Sequence, residues 1–117
     1  MLGILNIRLP LNHSKATFDV DFNLLEGSLP TEIGQMSSLD VLFLDSNRLT
    51  GMIPSELGNL EGTLDRVSLS RNRLEGMLPS EICSLISDLS FFGVDCGDIL
   101  CDSCGPSVQL KLEKDSG

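Results

Sequence analysis

Four thiols, one imidazole and a surplus of carboxylates are the groups in this 117-residue chain with the most chemistry to offer. The cysteines, Cys83, Cys96, Cys101 and Cys104, all lie in the last third. Thiols grouped in this way can close disulfides, bind zinc or carry an iron–sulfur cluster. The run Cys96-x4-Cys101-x2-Cys104 has the spacing of three cluster ligands, but the fourth belongs downstream and none follows. Four thiolates can also hold zinc. An even number packed into one terminal segment fits disulfide staples better, and with them an oxidising compartment. Neither metal nor cofactor is expected.

Nucleophilic catalysis by serine needs a base, and the sole imidazole, His13, sits in the least patterned part of the chain. Carboxylates are numerous enough to leave acid–base hydrolysis formally open. The glycines do not form a phosphate-cradling loop and follow a longer period instead. The chain is therefore expected not to be an enzyme. With 17 acidic and 8 basic residues, its formal charge is -9. That balance repels phosphate backbones and anionic lipid surfaces, so nucleic acid is not an expected partner. It suits a cationic or polyhydroxylated partner, or simply keeps the protein in solution.

A repeat supplies the elements that would position these groups. Asn23, Asn47 and Asn72 are spaced by 24 and then 25 residues. Gly27, Gly51 and Gly76 follow four residues later, then Pro30, Pro54 and Pro79, then Glu32, Glu56 and Glu81. Before each Asn stand apolar pairs: Phe18 and Val20, Leu42 and Leu44, Val67 and Leu69. Leu39 and Leu64 fill one further apolar slot, where the first unit has Lys15. One residue inserted near Glu61-Gly62-Thr63 explains the longer second spacing.

Each slot has a physical task. Leu39-x-x-Leu42-x-Leu44 alternates inward apolar residues at period two, as a short half-buried strand requires. Strands of successive units would pair in parallel as a concave wall. Inward asparagines can satisfy backbone groups where the chain leaves the strand. Glycine suits a tight bend or a close approach of neighbouring backbone. Pro54-Ser55-Glu56-Leu57 suits the first turn of a short convex helical segment, which Gly34 or Gly58 would then end.

The segment Leu39-x-x-Leu42-x-Leu44-x-x-Asn47-x-Leu49-x-Gly51-x-Ile53-Pro54-x-x-Leu57-Gly58-x-Leu60 resembles the plant-type extracellular leucine-rich repeat almost slot for slot. Leu64 to Leu85 fits nearly as well, with Cys83 in place of the glycine. The resemblance covers residues 15–97, about three and a half repeats by this spacing. It implies an α/β solenoid, a right-handed superhelix with short parallel strands on the concave face and a 3₁₀ or irregular convex side. It also implies the company of receptor-kinase ectodomains, receptor-like proteins and polygalacturonase inhibitors. These share partner recognition, while the ligand differs from one to the next.

A fourth strand is expected in Leu89-x-x-Phe92-x-Val94, with Gly97 where the asparagine should stand. Solenoid ends expose an apolar cross-section and need a cap. Residues 98–117 supply a cysteine-containing cap and a polar tail. Connectivity is open among three pairings, with Cys83 expected to bond to Cys96, Cys101 or Cys104. Residues 1–14 fit no full unit and read as an N-terminal segment or the remnant of a lost cap. Asn12-His13-Ser14 is a glycosylation sequon. The opening residues lack the features of an export signal, whereas the cysteines suit an extracellular or cell-surface site. A fragment of a longer protein reconciles the two. No stretch of this chain is long and apolar enough to span a bilayer, so any membrane anchor would belong to the parent protein.

Positions between the inward residues give the outer columns of the wall: Asp19, Asp21, Phe22, Asp40, Val41, Phe43, Asp45, Asp65, Arg66, Ser68, Ser70, Arg71, Phe91 and Asp95. Asp21, Asp45 and Asp95 form an acidic line that Ser70 interrupts, with Phe22, Val41 and Phe43 beside it. Exposed aromatics near charges suit recognition. The expected ligand-binding set is Asp21, Phe22, Val41, Phe43, Asp45, Arg66 and Arg71, taking a protein, peptide or glycan on the concave face in cell-surface recognition or signalling. The alternatives are a secreted inhibitor of a wall-degrading hydrolase, or a structural spacer within a larger solenoid.

Overall fold

The computed structural model describes residues 16–105. Segment 1–14, with the Asn12 sequon and His13, lies outside the described residues, as do Lys15 and the tail beyond 105. Numbered along the chain, β1 (Ala16–Asp19), β3 (Leu39–Phe43), β5 (Arg66–Ser68) and β8 (Phe91–Gly93) form one sheet in that order. All three pairings are parallel, and the register stacks Phe18, Leu42, Val67 and Phe92 in one row. Leu42, Val67 and Phe92 are fully buried, and Phe18 packs against the same core. Period-two alternation thus sends one column inward and leaves the next for the outer face.

One coil shows what the consensus is for. Leu39, Leu42, Leu44, Leu49, Ile53, Leu57 and Leu60 are each at most 2% exposed. Each such aliphatic chain contributes about 1.5–3 kcal/mol by leaving water. Asn47 is the buried polar member. Its Nδ2 donates to the carbonyls of Val20 (3.0 Å), Leu44 (3.0 Å) and Asp45 (3.3 Å), and its Oδ1 accepts the Leu25 amide at 3.1 Å. Asn72 repeats the arrangement one coil later, on the carbonyls of Leu44, Leu69 and Ser70 and the Leu49 amide. Each asparagine therefore closes its own bend and also ties it to the coil before. Asn23 makes the local part, to the carbonyls of Val20 and Asp21.

The wall beyond the asparagines is more regular than expected. β2 (Glu26–Ser28), β4 (Arg48–Gly51) and β6 (Arg73–Leu74) make a second parallel sheet, and β7 (Gly76–Met77) pairs with β9 (Ile99–Leu100). Gly27, Gly51 and Gly76 then turn the chain with φ of 94°, 81° and 95°, a region that costs an L-residue about 1–2 kcal/mol. The inserted residue is absorbed in a turn at Gly62 (φ 94°).

The convex side carries 3₁₀ segments Thr31–Gln35, Ser55–Leu60 and Ser80–Ile82, the last running into α1 (Cys83–Asp88). Pro30, Pro54 and Pro79 stand just before these segments in extended conformation, and Glu32, Glu56 and Glu81 occupy the first turns. Gly34 and Gly58 do not end the segments, as the sequence suggested. They lie inside them, where a side chain would collide with the next coil. A Cβ on Gly34 would strike the backbone oxygen of Glu56, and one on Gly58 would stand 2.5 Å from that of Glu81. Their task is close stacking of successive coils.

That explains Cys83. It fills the same slot in the last convex segment, and there a side chain is admitted because it meets the cysteine-rich end. Cys83 bonds to Cys104 (Cα–Cα 5.3 Å) and Cys96 to Cys101 (5.6 Å). The Cys83 expectation is met, and the thiols weighed as zinc or iron–sulfur ligands are all committed to disulfides. The ladder runs past residue 97, since Ile99 is buried and pairs in β9, and Cys101 opens the final 3₁₀ turn Cys101–Cys104.

Candidate binding surface

Three rows cross the outer face of the first sheet. Val41, Arg66 and Phe91 are register partners, as are Phe43, Ser68 and Gly93. Asp45, Ser70 and Asp95 continue the same strands. The middle row narrows towards the C-terminal side, from Phe to Ser to Gly. A Cβ on Gly93 would lie 3.1 Å from the Phe91 ring and 3.0 Å from Ser70 Oγ, so the glycine leaves the space over which that ring lies. Ser68 is buried although it belongs to the outward column.

Two open depressions draw on this row, one through Phe43 and the other through Ser68. Phe43, Arg66, Ser90 and Phe91 line one of about 340 Å³. Asp45, Ser68, Ser70, Arg71, Val94, Asp95 and Cys96 line another of about 560 Å³. Of the residues expected from sequence, Phe43 and Arg66 meet in the first, and Asp45 and Arg71 in the second. Val41 is half-buried beside Arg66. Asp21 and Phe22 belong to the first coil and line neither depression. Phe22 is 70% exposed and, like Ser46 and Arg71, holds a left-handed φ (55°, 61° and 58°) just before the asparagine. Phe22 and Arg71 therefore mark the bends of the coils, one step beyond the flat part of the wall.

Ser68, Ser70, Phe91 and Asp95, placed on the outer columns from sequence but left out of the expected binding set, complete the site with Ser90, which the sequence did not suggest. Asp95 was visible as part of an acidic line, but its second task was not. With Gly97 in the asparagine slot, Asp95 Oδ2 accepts the amides of Arg71 (2.8 Å) and Asn72 (3.4 Å), so the carboxylate is held in a fixed position. Ser90 Oγ donates to Asp65 Oδ1 at 2.7 Å, and Arg66 Nε stands 3.9 Å from Asp65 Oδ2 across exposed surface. An exposed pair of that length contributes at most about 1 kcal/mol, leaving the guanidinium available to a ligand. Asp21 titrates above the usual carboxylate range: loss of hydration raises it, then hydrogen bonding to and repulsion by Asp19, then repulsion by Asp45. Among the described residues no helix is long and apolar enough to cross a membrane.

Parallel strands, asparagine-closed bends and stacked glycine-containing turns define a leucine-rich-repeat solenoid. The leucine-rich-repeat family model matches residues 38–60 and 63–85. The plant peptide hormone receptor RGFR1, solved with RGF2, is 41% identical over 71% of this chain and 13% of its own, with a TM-score of 0.60. The BIR3–SERK2 complex from Arabidopsis thaliana gives 40% identity over 77% of this chain and 47% of that one, with a TM-score of 0.59. The BIR2 ectodomain, also from Arabidopsis thaliana, gives 35% identity, coverage of 65% and 39%, and a TM-score of 0.60. No curated protein sequence matches significantly. The chain thus spans between 13% and 47% of these solved structures. It belongs to the leucine-rich-repeat family, in its plant-type extracellular form.

Proposed function

We propose that this chain is a non-catalytic recognition module that binds a peptide or protein segment on its concave sheet, outside the cell. The observation that carries the reading is the aromatic depression between Phe43 and Phe91, open on a regular wall and flanked by Arg66. Rings and guanidinium groups in partly desolvated hollows are the groups that dominate recognition energy. The disulfides suit an oxidising compartment. RGFR1 is itself a peptide hormone receptor, which favours a peptide over a glycan here.

A displayed random-peptide library selected on the disulfide-bonded protein tests this. Enriched peptides should lose about tenfold or more in affinity to Phe43→Ala, the loss of a buried anchor. They should bind Glu81→Ala, on the convex side, unchanged. Enrichment of peptides indifferent to Phe43→Ala would move the site off the concave face.

A further inference from the structure

We infer that the concave face selects an extended segment carrying an apolar side chain and, two residues away, a lysine or arginine. The inference rests on the recognition reading above and specifies what that surface takes. The two depressions have opposite chemistry. One is walled by the rings of Phe43 and Phe91; the other holds the carboxylates of Asp45 and Asp95, with Ser68 and Ser70 as further polar partners. Among the described residues Arg71 is the one cation lining the second, and its backbone amide donates to Asp95 Oδ2.

Charge complementarity identifies the occupant of the acidic side. Asp95 Oδ2 is fixed by two amides before any ligand arrives, so little ordering opposes its use as an acceptor. Asp19 and Asp21 add to the negative field on the Asp45 side, which already raises the Asp21 carboxyl. A cationic group lowers this repulsion; an anionic one adds to it.

The spacing follows from the strands. Phe43 lines the first hollow and Asp45 the second, two residues apart on one strand line, about 7 Å along an extended chain. That is the separation of side chains at i and i+2 on one face of an extended ligand. Ser68 and Gly93 make the divide low, so the ligand backbone can cross it.

Fluorescence polarisation with labelled Gly/Ser-rich peptides tests the inference on the disulfide-bonded chain. A Leu-Ser-Lys peptide should bind at least about tenfold tighter than Leu-Ser-Glu, Ala-Ser-Lys or the contiguous Leu-Lys, as one charge-assisted contact or one buried leucine allows. Asp45→Asn should remove most of the Lys-over-Glu preference. Glu81→Gln, the same charge change on the convex side, should leave it intact. Peptides that lose affinity to Phe43→Ala but show no preference for Lys over Glu would overturn the inference and leave the recognition reading standing. No peptide binding, with uncharged wall oligosaccharides bound through Phe43 instead, would overturn both.

Discussion

Asp95 accepts the Arg71 amide at 2.8 Å, across the step from the third coil to the fourth. Asn47 and Asn72 make the corresponding tie between earlier coils through the side-chain amide. A residue two positions upstream has thus taken over the bend-pinning task where Gly97 replaces asparagine. Asp95→Asn keeps an acceptor and removes the charge; it should leave stability within about 0.5 kcal/mol while weakening any cationic ligand. Asp95→Ala removes the acceptor and should cost about 1–2 kcal/mol in denaturant unfolding. Equal stability of the two variants would remove Asp95 from the ladder.

Asn47 concentrates four hydrogen bonds in one buried side chain. Asn47→Ala leaves the Leu25 amide unpaired and takes one of two donors from the carbonyls of Val20, Leu44 and Asp45, which keep Asn23, Asn72 and Phe22, at a cost of about 1–3 kcal/mol. Amide exchange should accelerate first at Leu25 and Arg48, on either side of the broken tie. A loss below about 0.5 kcal/mol would show that water replaces the side chain fully.

Gly58 abuts the backbone oxygen of Glu81, which no rotamer change can move. Gly58→Ala should lower stability by about 1–3 kcal/mol through overpacking. Gly27→Ala meets no atom within 4 Å, so its cost is conformational alone, about 1–2 kcal/mol from its φ of 94°. Crystal structures should show the convex spacing between coils widened only for Gly58→Ala.

Asp21 titrates above the ordinary carboxylate range in the folded chain, chiefly through lost hydration and then through Asp19 and Asp45. Its protonated form is the one the fold favours. That contribution is present below the unfolded carboxylate pKa and is lost as pH rises through the raised folded value. Asp21→Asn should therefore melt higher than the parent chain near neutral pH, with the gap closing on acidification and shrinking in high salt. A gap that stays constant from acid to neutral pH would contradict the assigned cause.

The stack, its core and its asparagine bends were legible because each repeats with the coil and buries a distinctive residue type. The second sheet was not, since Glu26–Ser28 has no inward-outward alternation and is exposed throughout. Its pairing follows from coil stacking alone. Gly34 and Gly58 were assigned to the right coil position with the wrong task, because a glycine at a helix end and a glycine under a neighbour's backbone look alike in one dimension. Phe43, Arg66 and Asp45 could be placed on the outer wall by parity. The prominence of Phe91 could not, because it depends on Gly93, whose missing side chain makes room for the ring. The Cys83–Cys104 pairing likewise required knowing that no further glycine slot stacks above Cys83.

The most direct test of concave-face recognition is an amide NMR titration of the disulfide-bonded protein with a peptide selected on it. Shifts should cluster in 41–45, 66–70 and 90–95, the three strands bearing the two depressions. Shifts confined to Thr31–Gln35, Ser55–Leu60 and the Met52–Met77 side would place binding on the opposite wall and contradict the account.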